Sequence, residues 1–334
     1  MSGRPVEGSL FIYAPNKVAP AVFAVLFAIS AVGHIWQCYH YKAFKLVGLQ
    51  PLCAVLFTLG YALREYGAFN YLYNTQNLII FILSQVFIYV CPPLLELANY
   101  HVLGRILYYV PHLAPIPGSR VMSIFGGLMA LIELLNSLGV SLSANPSSSE
   151  STQKLGSHLT IAAVSMQLAA ICIFVILSVI FHRRCIRAKI RARPVSTPLK
   201  TMYVSMTLIL IRCIYRLVEH LDFVSIDIND FESLLRLSPI LRYEWFFYVF
   251  EATLMLLNSV LWNVWNPARY MPRKYHIYLD KDGVTELEGK KDNRSLQHKL
   301  LSLLTFGLLF RKKVEGPRFQ ELEDYPTPVR STHP

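Results

Sequence analysis

Charge is scarce in this chain. Aspartate, glutamate, lysine and arginine make up 16% of its 334 residues, whereas a soluble domain carries about 25%. Hydrophobic residues make up 54%, and the mean hydropathy is +0.39. That much apolar surface cannot be hidden in one water-soluble core, so the composition describes an integral membrane protein and excludes a disordered one. Cysteine is sparse too. The six thiols (Cys38, Cys53, Cys91, Cys172, Cys185 and Cys213) lie in or beside apolar runs, with no C-x-x-C, which argues against both a disulfide scaffold and a zinc site. No P-loop, G-x-G-x-x-G after a strand, H-E-x-x-H or G-x-S-x-G is present, which argues against an ATP-driven pump. No catalytic pair or metal constellation is visible, so the chain reads as a non-enzyme without cofactor. Period-two alternation is missing, which excludes a β-barrel. Acidic residues are the scarcer sign, and the net charge is +11. The basic residues sit between and after the apolar runs, so this excess reads as topology and not as nucleic-acid binding.

What is present is a series of seven apolar runs, each long enough for a membrane helix of about 20 residues. They cover Ala19–His40, Leu46–Gly67, Asn77–Ala98, Val121–Ala144, Ser157–Phe181, Leu199–Leu221 and Tyr243–Trp265. The expected fold class is an all-α, seven-helix transmembrane bundle over residues 19–265. Residues 1–18 would form a short extracellular N-terminus and 266–334 a cytoplasmic tail. Five lysines and arginines flank one side of this arrangement and eleven the other, before thirteen more in the tail. The positive-inside rule therefore puts the N-terminus outside and the C-terminus in the cytoplasm. No cleavable signal peptide is read, and the first helix is expected to act as an uncleaved anchor. Residues 296–310 are apolar but too short to span. Followed by Arg311, Lys312 and Lys313, they suggest a helix lying on the cytoplasmic leaflet or packed on the bundle.

Ionisable residues inside the runs point to function, because each costs about 3 kcal/mol or more at the bilayer centre and must face the bundle, water or a partner. The sixth run carries Arg212, Tyr215, Arg216 and Glu219 at spacings of three and four, hence on one helix face. The seventh carries Glu244, Tyr248 and Glu251 in the same way. At about 1.5 Å per residue, Arg212 lies roughly 13 Å and Glu251 roughly 12 Å from the outer ends of their helices, so the two are expected to pair. Arg64 and Glu65 sit near the outer end of the second run. Together these groups read either as buried locks between helices or as an outward-facing polar site for an amphipathic head group. Glu133, near the middle of the fourth run, has no obvious partner. His34, Glu96, His101 and Arg105 gather toward the cytoplasmic side, the last two in positions from which they can snorkel to the interface. Pro92-Pro93 predicts a kink, since two N–H donors are lost.

Seven helices and an outside N-terminus invite a receptor reading, and Asn266-Pro267-Ala268-Arg269-Tyr270 spells N-P-x-x-Y. Here the motif follows the last run instead of lying within it, and no D-R-Y follows the third. The residues do resemble another family. Tyr13-Ala14-Pro15-Asn16 precedes the first helix, with His34 inside it. Gly60-Tyr61 and Arg64 are similar to G-Y-x-x-R, and Ala98 to Arg105 to a motif that ends in Y-x-x-L-G-R. Gly156 and Gln167 accompany the fifth helix. Arg212, Tyr215, Arg216 and Glu219 match R-x-x-Y-R-x-x-E, and Glu244, Tyr248, Glu251 and Met255 follow in the seventh. From Tyr13 to Tyr270 this combination resembles the fungal lipid-translocating exporter family, RTA-like proteins linked to resistance to 7-aminocholesterol. One departure is Met129, where the family carries an Asp; Glu133, one turn on, can substitute for it.

The resemblance implies a multipass membrane protein that exports, translocates or protects against amphipathic lipid-like molecules such as sphingoid bases and sterol-like toxins. The residues expected to carry this are Arg64, Arg212, Tyr215, Arg216, Glu219, Tyr248, Glu251, Glu133 and His34. The expected partners are membrane lipids or amphipathic small molecules. The expected location is the plasma membrane, with the vacuole or another endomembrane as alternatives. The competing reading is a seven-helix sensor of such ligands that signals through the fifth loop and the tail.

Overall fold

The computed structural model describes residues 6, 8–11, 13–143, 149–190, 192–223, 238–272, 277–280, 282–283 and 285–288. Among these, seven long helices follow the seven apolar runs: α1 (Ala19–Tyr41), α2 (Leu49–Phe69), α3 (Thr75–Tyr109), α4 (Gly118–Ser143), α5 (Glu150–Arg187), α6 (Arg193–Phe223) and α7 (Glu244–Arg269). Six of them are long and apolar enough to cross a membrane. The other, α2, carries Gln50, Arg64 and Glu65 within 21 residues. The helices outrun the apolar runs most in α3 and α5, because the backbone ladder continues through polar turns as readily as through apolar ones. The α3 helix runs through Pro92 and Pro93 without a break in its assignment. Residues 296–310 lie outside the described residues, as does 224–237, most of the acidic stretch 222–241 that the positive-inside reading puts outside. The Ser- and Pro-rich stretch 145–156 reads from sequence as an outer loop, but its residues from Glu150 onward belong to α5.

The ends of the helices follow from local chemistry. Asn16 Oδ1 accepts from the backbone N–H groups of Val18 and Ala19, and Pro20 opens the first turn of α1, where its missing N–H costs nothing. Ser149 Oγ accepts from Thr152 N at the start of α5. Glu150 lies in the first turn and Arg184 and Arg187 in the last, which suits both ends of the helix dipole.

Packing is inside-out relative to a soluble protein. On α1, Val25, Ile29 and Val32 are 59%, 64% and 69% exposed, while Ser30 and His34 are buried. The same contrast recurs on α3, where Ile79, Ile82 and Val86 face outward and Ser84, Glu96 and Asn99 are buried. An apolar outside around a polar inside is stable only in hydrocarbon. α3 lies at the middle of the arrangement and touches α2, α4 and α6, while α7 packs between α1 and α6. α4 and α5 form a closely packed pair. A Cβ at Gly156 would lie 2.6 Å from Ser143 N and 2.7 Å from Gly139 O, so the two backbones meet where neither helix has a side chain.

Beyond α7 the tail contains a small antiparallel hairpin, β1 (Ile277–Leu279) and β2 (Glu286–Glu288). Gly283 sits in its turn at φ 72°, and Asp282 Oδ1 accepts from Thr285 N. The hairpin folds against the end of α3: Tyr109 Oη donates to Glu286 Oε1 at 2.7 Å and Arg105 Nη1 to Ile277 O at 3.3 Å. Arg105 is therefore buried beneath the hairpin, contrary to the expectation that it snorkels.

Candidate functional site

Three arginines, one on α2 and two on α6, each bond a carboxylate of their own. Arg64 of α2 is 2% exposed. Its Nη2 donates to Glu244 Oε1 of α7 at 3.1 Å, and its Nε to Tyr248 Oη at 3.4 Å. Tyr248 Oη in turn donates to the same carboxylate oxygen. The guanidinium stacks 4.1 Å from the Phe247 ring centroid and 5.0 Å from that of Phe11, so aromatic faces replace the water that it has lost.

Phe11 and the residues around it form a lid over this cation. Leu10 N donates to Tyr71 O and Tyr73 N to Gly8 O, tying the N-terminal segment to the turn between α2 and α3. Asn16 N donates to Glu244 Oε2 at 2.7 Å. Burial pushes the Tyr13 phenol well above its usual pKa, with the Arg64 charge pulling the other way. The Tyr13 to Asn16 stretch thus closes the Arg64 site.

Arg212 of α6 and Glu251 of α7 form the second pair, Nε to Oε1 at 2.7 Å, in the bundle interior. Glu251 sits in a π-helical turn, Tyr248–Thr253, where Thr253 Oγ1 donates to Tyr248 O. Such turns concentrate at functional positions. The expected single face of α7 is consequently shared between two neighbours: Glu244 and Tyr248 meet α2, and Glu251 meets α6.

Arg216 forms the third pair, with Glu219 one turn along α6. Its guanidinium also contacts His220 and lies 4.2 Å from the Tyr89 ring centroid of α3. Tyr215 stacks on Phe250 at 5.5 Å. Of the three arginine–glutamate pairs, this one is the least enclosed: its side chains are 16% and 20% exposed, against 6% or less for the other two.

The remaining expected residues lie elsewhere. His34 Nε2 is 3.1 Å from Ser259 O in the α1–α7 seam, beside Ser30 and Asn263. Glu96 accepts from Tyr100 Oη and, at 2.8 Å, from Gln167 Nε2 of α5. His34 and Glu96, both expected toward the cytoplasmic side, therefore bond in different places, His34 to α7 and Glu96 to α5. Glu133 is half-buried, with Asn136 of its own helix as a polar neighbour that sequence reasoning overlooked. Asn266 of the N-P-x-x-Y stretch caps a short turn through Ala268 N, and its amide donates to Gln37. That motif closes the end of α7 against α1. Sequence reasoning also missed the Asn99–Ser205–Trp262 link between α3, α6 and α7. An Asn and a Ser on two separate apolar helices carry no spacing signal for it.

A family model described as "RTA1 like protein" matches residues 51–274. "Lipid-translocating exporter-like protein RTA1" of Leptosphaeria maculans is 53% identical over 341 residues, which cover 99% of this chain and 65% of that protein. The chain thus spans less than two thirds of that relative's length. "Probable lipid transporter atnI" of Emericella nidulans is 26% identical over 281 residues, 79% of this chain and 69% of its own. "Protein RTA1" of Saccharomyces cerevisiae is 27% identical over 288 residues, 76% of this chain and 84% of its own. No solved structure matches the chain. Residues 51–274 include the helices that supply all three arginine–glutamate pairs, and over that length this multipass membrane protein belongs to the RTA1-like family.

Proposed function

We propose that this protein moves amphipathic lipid-like molecules across the bilayer, or keeps them out of it, and that Arg216, Glu219, Tyr89 and Tyr215 receive the head group. The observation that carries this reading is the difference among the three ion pairs. Arg64–Glu244 and Arg212–Glu251 are enclosed and act as locks, whereas Arg216–Glu219 keeps part of its surface open. A cation beside a carboxylate and two phenols can meet an ammonium, a phosphate or a hydroxyl by exchanging partners. The names of the relatives, which refer to lipid translocation and lipid transport, support the same reading. Flux of a labelled long-chain base in proteoliposomes tests it. The wild type should accelerate flux, and Arg216→Gln should abolish most of the acceleration while the protein remains folded and abundant. Full flux in Arg216→Gln would sink the head-group assignment.

A sensor is the second reading, and one contact favours it. The tail hairpin touches the end of α3 through Arg105 and Tyr109, which gives a physical route from the bundle to the tail. Binding without movement, together with loss of response when the hairpin is deleted, would distinguish it from transport.

In either case we take all seven long helices to cross the membrane, with the N-terminus outside and the tail in the cytoplasm of the cell, at the plasma membrane. The lysine and arginine asymmetry supports this orientation. A tag placed after Met1 should be labelled in intact cells. Labelling only after permeabilisation would reverse the assignment.

A further inference from the structure

One buried carboxyl has no part in the head-group site. Three glutamates are buried among the described residues, Glu96, Glu244 and Glu251. Glu244 and Glu251 are each bonded to an arginine, Arg64 and Arg212. Glu96 of α3 is 0% exposed and accepts instead from two neutral groups, Tyr100 Oη one turn along its own helix and Gln167 Nε2 of α5 at 2.8 Å. Glu96 and Gln167 stand near the midpoints of their helices, Thr75–Tyr109 and Glu150–Arg187, so on the membrane-spanning reading the carboxyl lies deep in hydrocarbon. The charged and titratable groups around it are Tyr100, Glu133 of α4, and Arg212 and Cys213 of α6. Arg212 is committed to Glu251 at 2.7 Å, and Glu133 would repel a second negative charge.

These partners let a proton come and go. Protonating Glu244 or Glu251 would strand a buried guanidinium. A hydroxyl and a primary amide, by contrast, can each donate or accept. As a carboxylate, Glu96 accepts from both. As an acid, it still accepts from Tyr100 and donates to the amide oxygen once Gln167 turns its amide over, so neither form leaves the carboxyl unpaired. A proton also adds no volume, and an enclosed group needs no cavity to receive it. The place of Glu96 on α3 ties it to the head-group site. Tyr89, whose ring centroid lies 4.2 Å from the Arg216 guanidinium, is two turns before Glu96, about 10 Å along the helix axis. Pro92 and Pro93 fall between them. Their missing N–H groups leave the carbonyls of Ile88 and Tyr89 without helical donors, which makes this the most easily bent turn of α3. We infer that Glu96, with Tyr100 and Gln167, is an internal proton-binding site, and that its loading and unloading act through this turn to couple a proton to the head group held at Tyr89 and Arg216. The coupling rests on the proposed transport of amphipathic molecules, whereas the binding of the proton does not.

Infrared difference spectra of the full-length protein in nanodiscs, taken between alkaline and acidic pH, read the proton directly. A protonated-carboxyl band should appear on acidification of the wild type, disappear in Glu96→Gln and shift in frequency in Gln167→Leu, which removes one of its two partners. Glu96→Gln keeps the shape of the side chain and its ability to bond both neighbours, so it should remain folded. A difference spectrum unchanged by Glu96→Gln would overturn the proposal, because Glu96 would then keep one fixed form, as a purely structural link between α3 and α5 does. Should Glu96→Gln fail to accumulate, Gln167→Leu decides the question, and a band indifferent to that change overturns the site. Flux of the labelled long-chain base in proteoliposomes reads the coupling. With one proton per molecule moved, a gradient of one pH unit should drive accumulation of up to about tenfold in the wild type and none in Glu96→Gln. Lipid movement indifferent to the gradient in the wild type would overturn the coupling. A titrating Glu96 band with no lipid movement under any condition would uphold the proton site and sink the transport reading.

Discussion

Replacing Arg212 with Leu, or Glu251 with Leu, should deplete the protein from membranes, and replacing both should restore much of it. The two side chains are bonded at 2.7 Å and almost fully enclosed. Removing one leaves the other as an uncompensated buried charge, which costs about 3–5 kcal/mol. Against a total folding stability of about 5–15 kcal/mol, that loss is enough to expose most variants to quality control. The double change removes both charges together and leaves an apolar contact of similar volume. Membrane abundance by immunoblot, with a fluorescence-detected chromatogram for monodispersity, checks the four proteins. A double variant as depleted as the two single losses combined would show that the residues act independently.

A comparable loss should follow from Gly156→Val. The added side chain would have to occupy space already taken by the backbone of α4, since even its Cβ would approach Ser143 N to 2.6 Å and Gly139 O to 2.7 Å. Backbone cannot rotate aside as a side chain does, so the helices must separate. Overpacking of this kind costs about 1–3 kcal/mol or more, and separation also forfeits the close van der Waals contact on which helix association in lipid depends. Gly156→Ala should show the same defect in milder form. Thermal unfolding in detergent provides the measurement, and an unchanged midpoint for Gly156→Val would refute the close-approach argument.

Much of this architecture was legible in the chain, and the unreadable parts share a cause. Each of the seven apolar runs holds a long helix, because a run of that length can be satisfied in lipid only by closing its own backbone hydrogen bonds. The Arg212–Glu251 pair was legible because both residues lie on consecutive helices at equal depth, so the spacing along each helix sufficed. Arg64–Glu244 was not, since 180 residues separate the partners and sequence does not say which distant helices are neighbours. The lid contacts of Leu10, Phe11 and Asn16 stayed hidden for the same reason: their partners, Tyr71, Phe81 and Glu244, belong to three other parts of the chain. The tail hairpin did leave a local sign, Asp282-Gly283 between Ile277-Tyr278-Leu279 and Glu286-Leu287-Glu288, which is turn chemistry flanked by short strands. The surrounding charge obscured it.

The long separation between Arg64 and Glu244 has a consequence for biosynthesis. Chains emerge from the ribosome at about 5–20 residues per second, so Glu244 follows Arg64 by roughly 10–40 s, while Glu251 follows Arg212 by about 2–8 s. On the seven-span reading, α2 is the helix with the weakest apolar claim on the bilayer, and it also waits longest for its counter-charge. Until α7 arrives, Phe11 of the already synthesised N-terminal segment is the partner within reach for the Arg64 guanidinium. The lid would then serve first as a nursemaid, holding the cation during the interval in which the rest of the protein is being made.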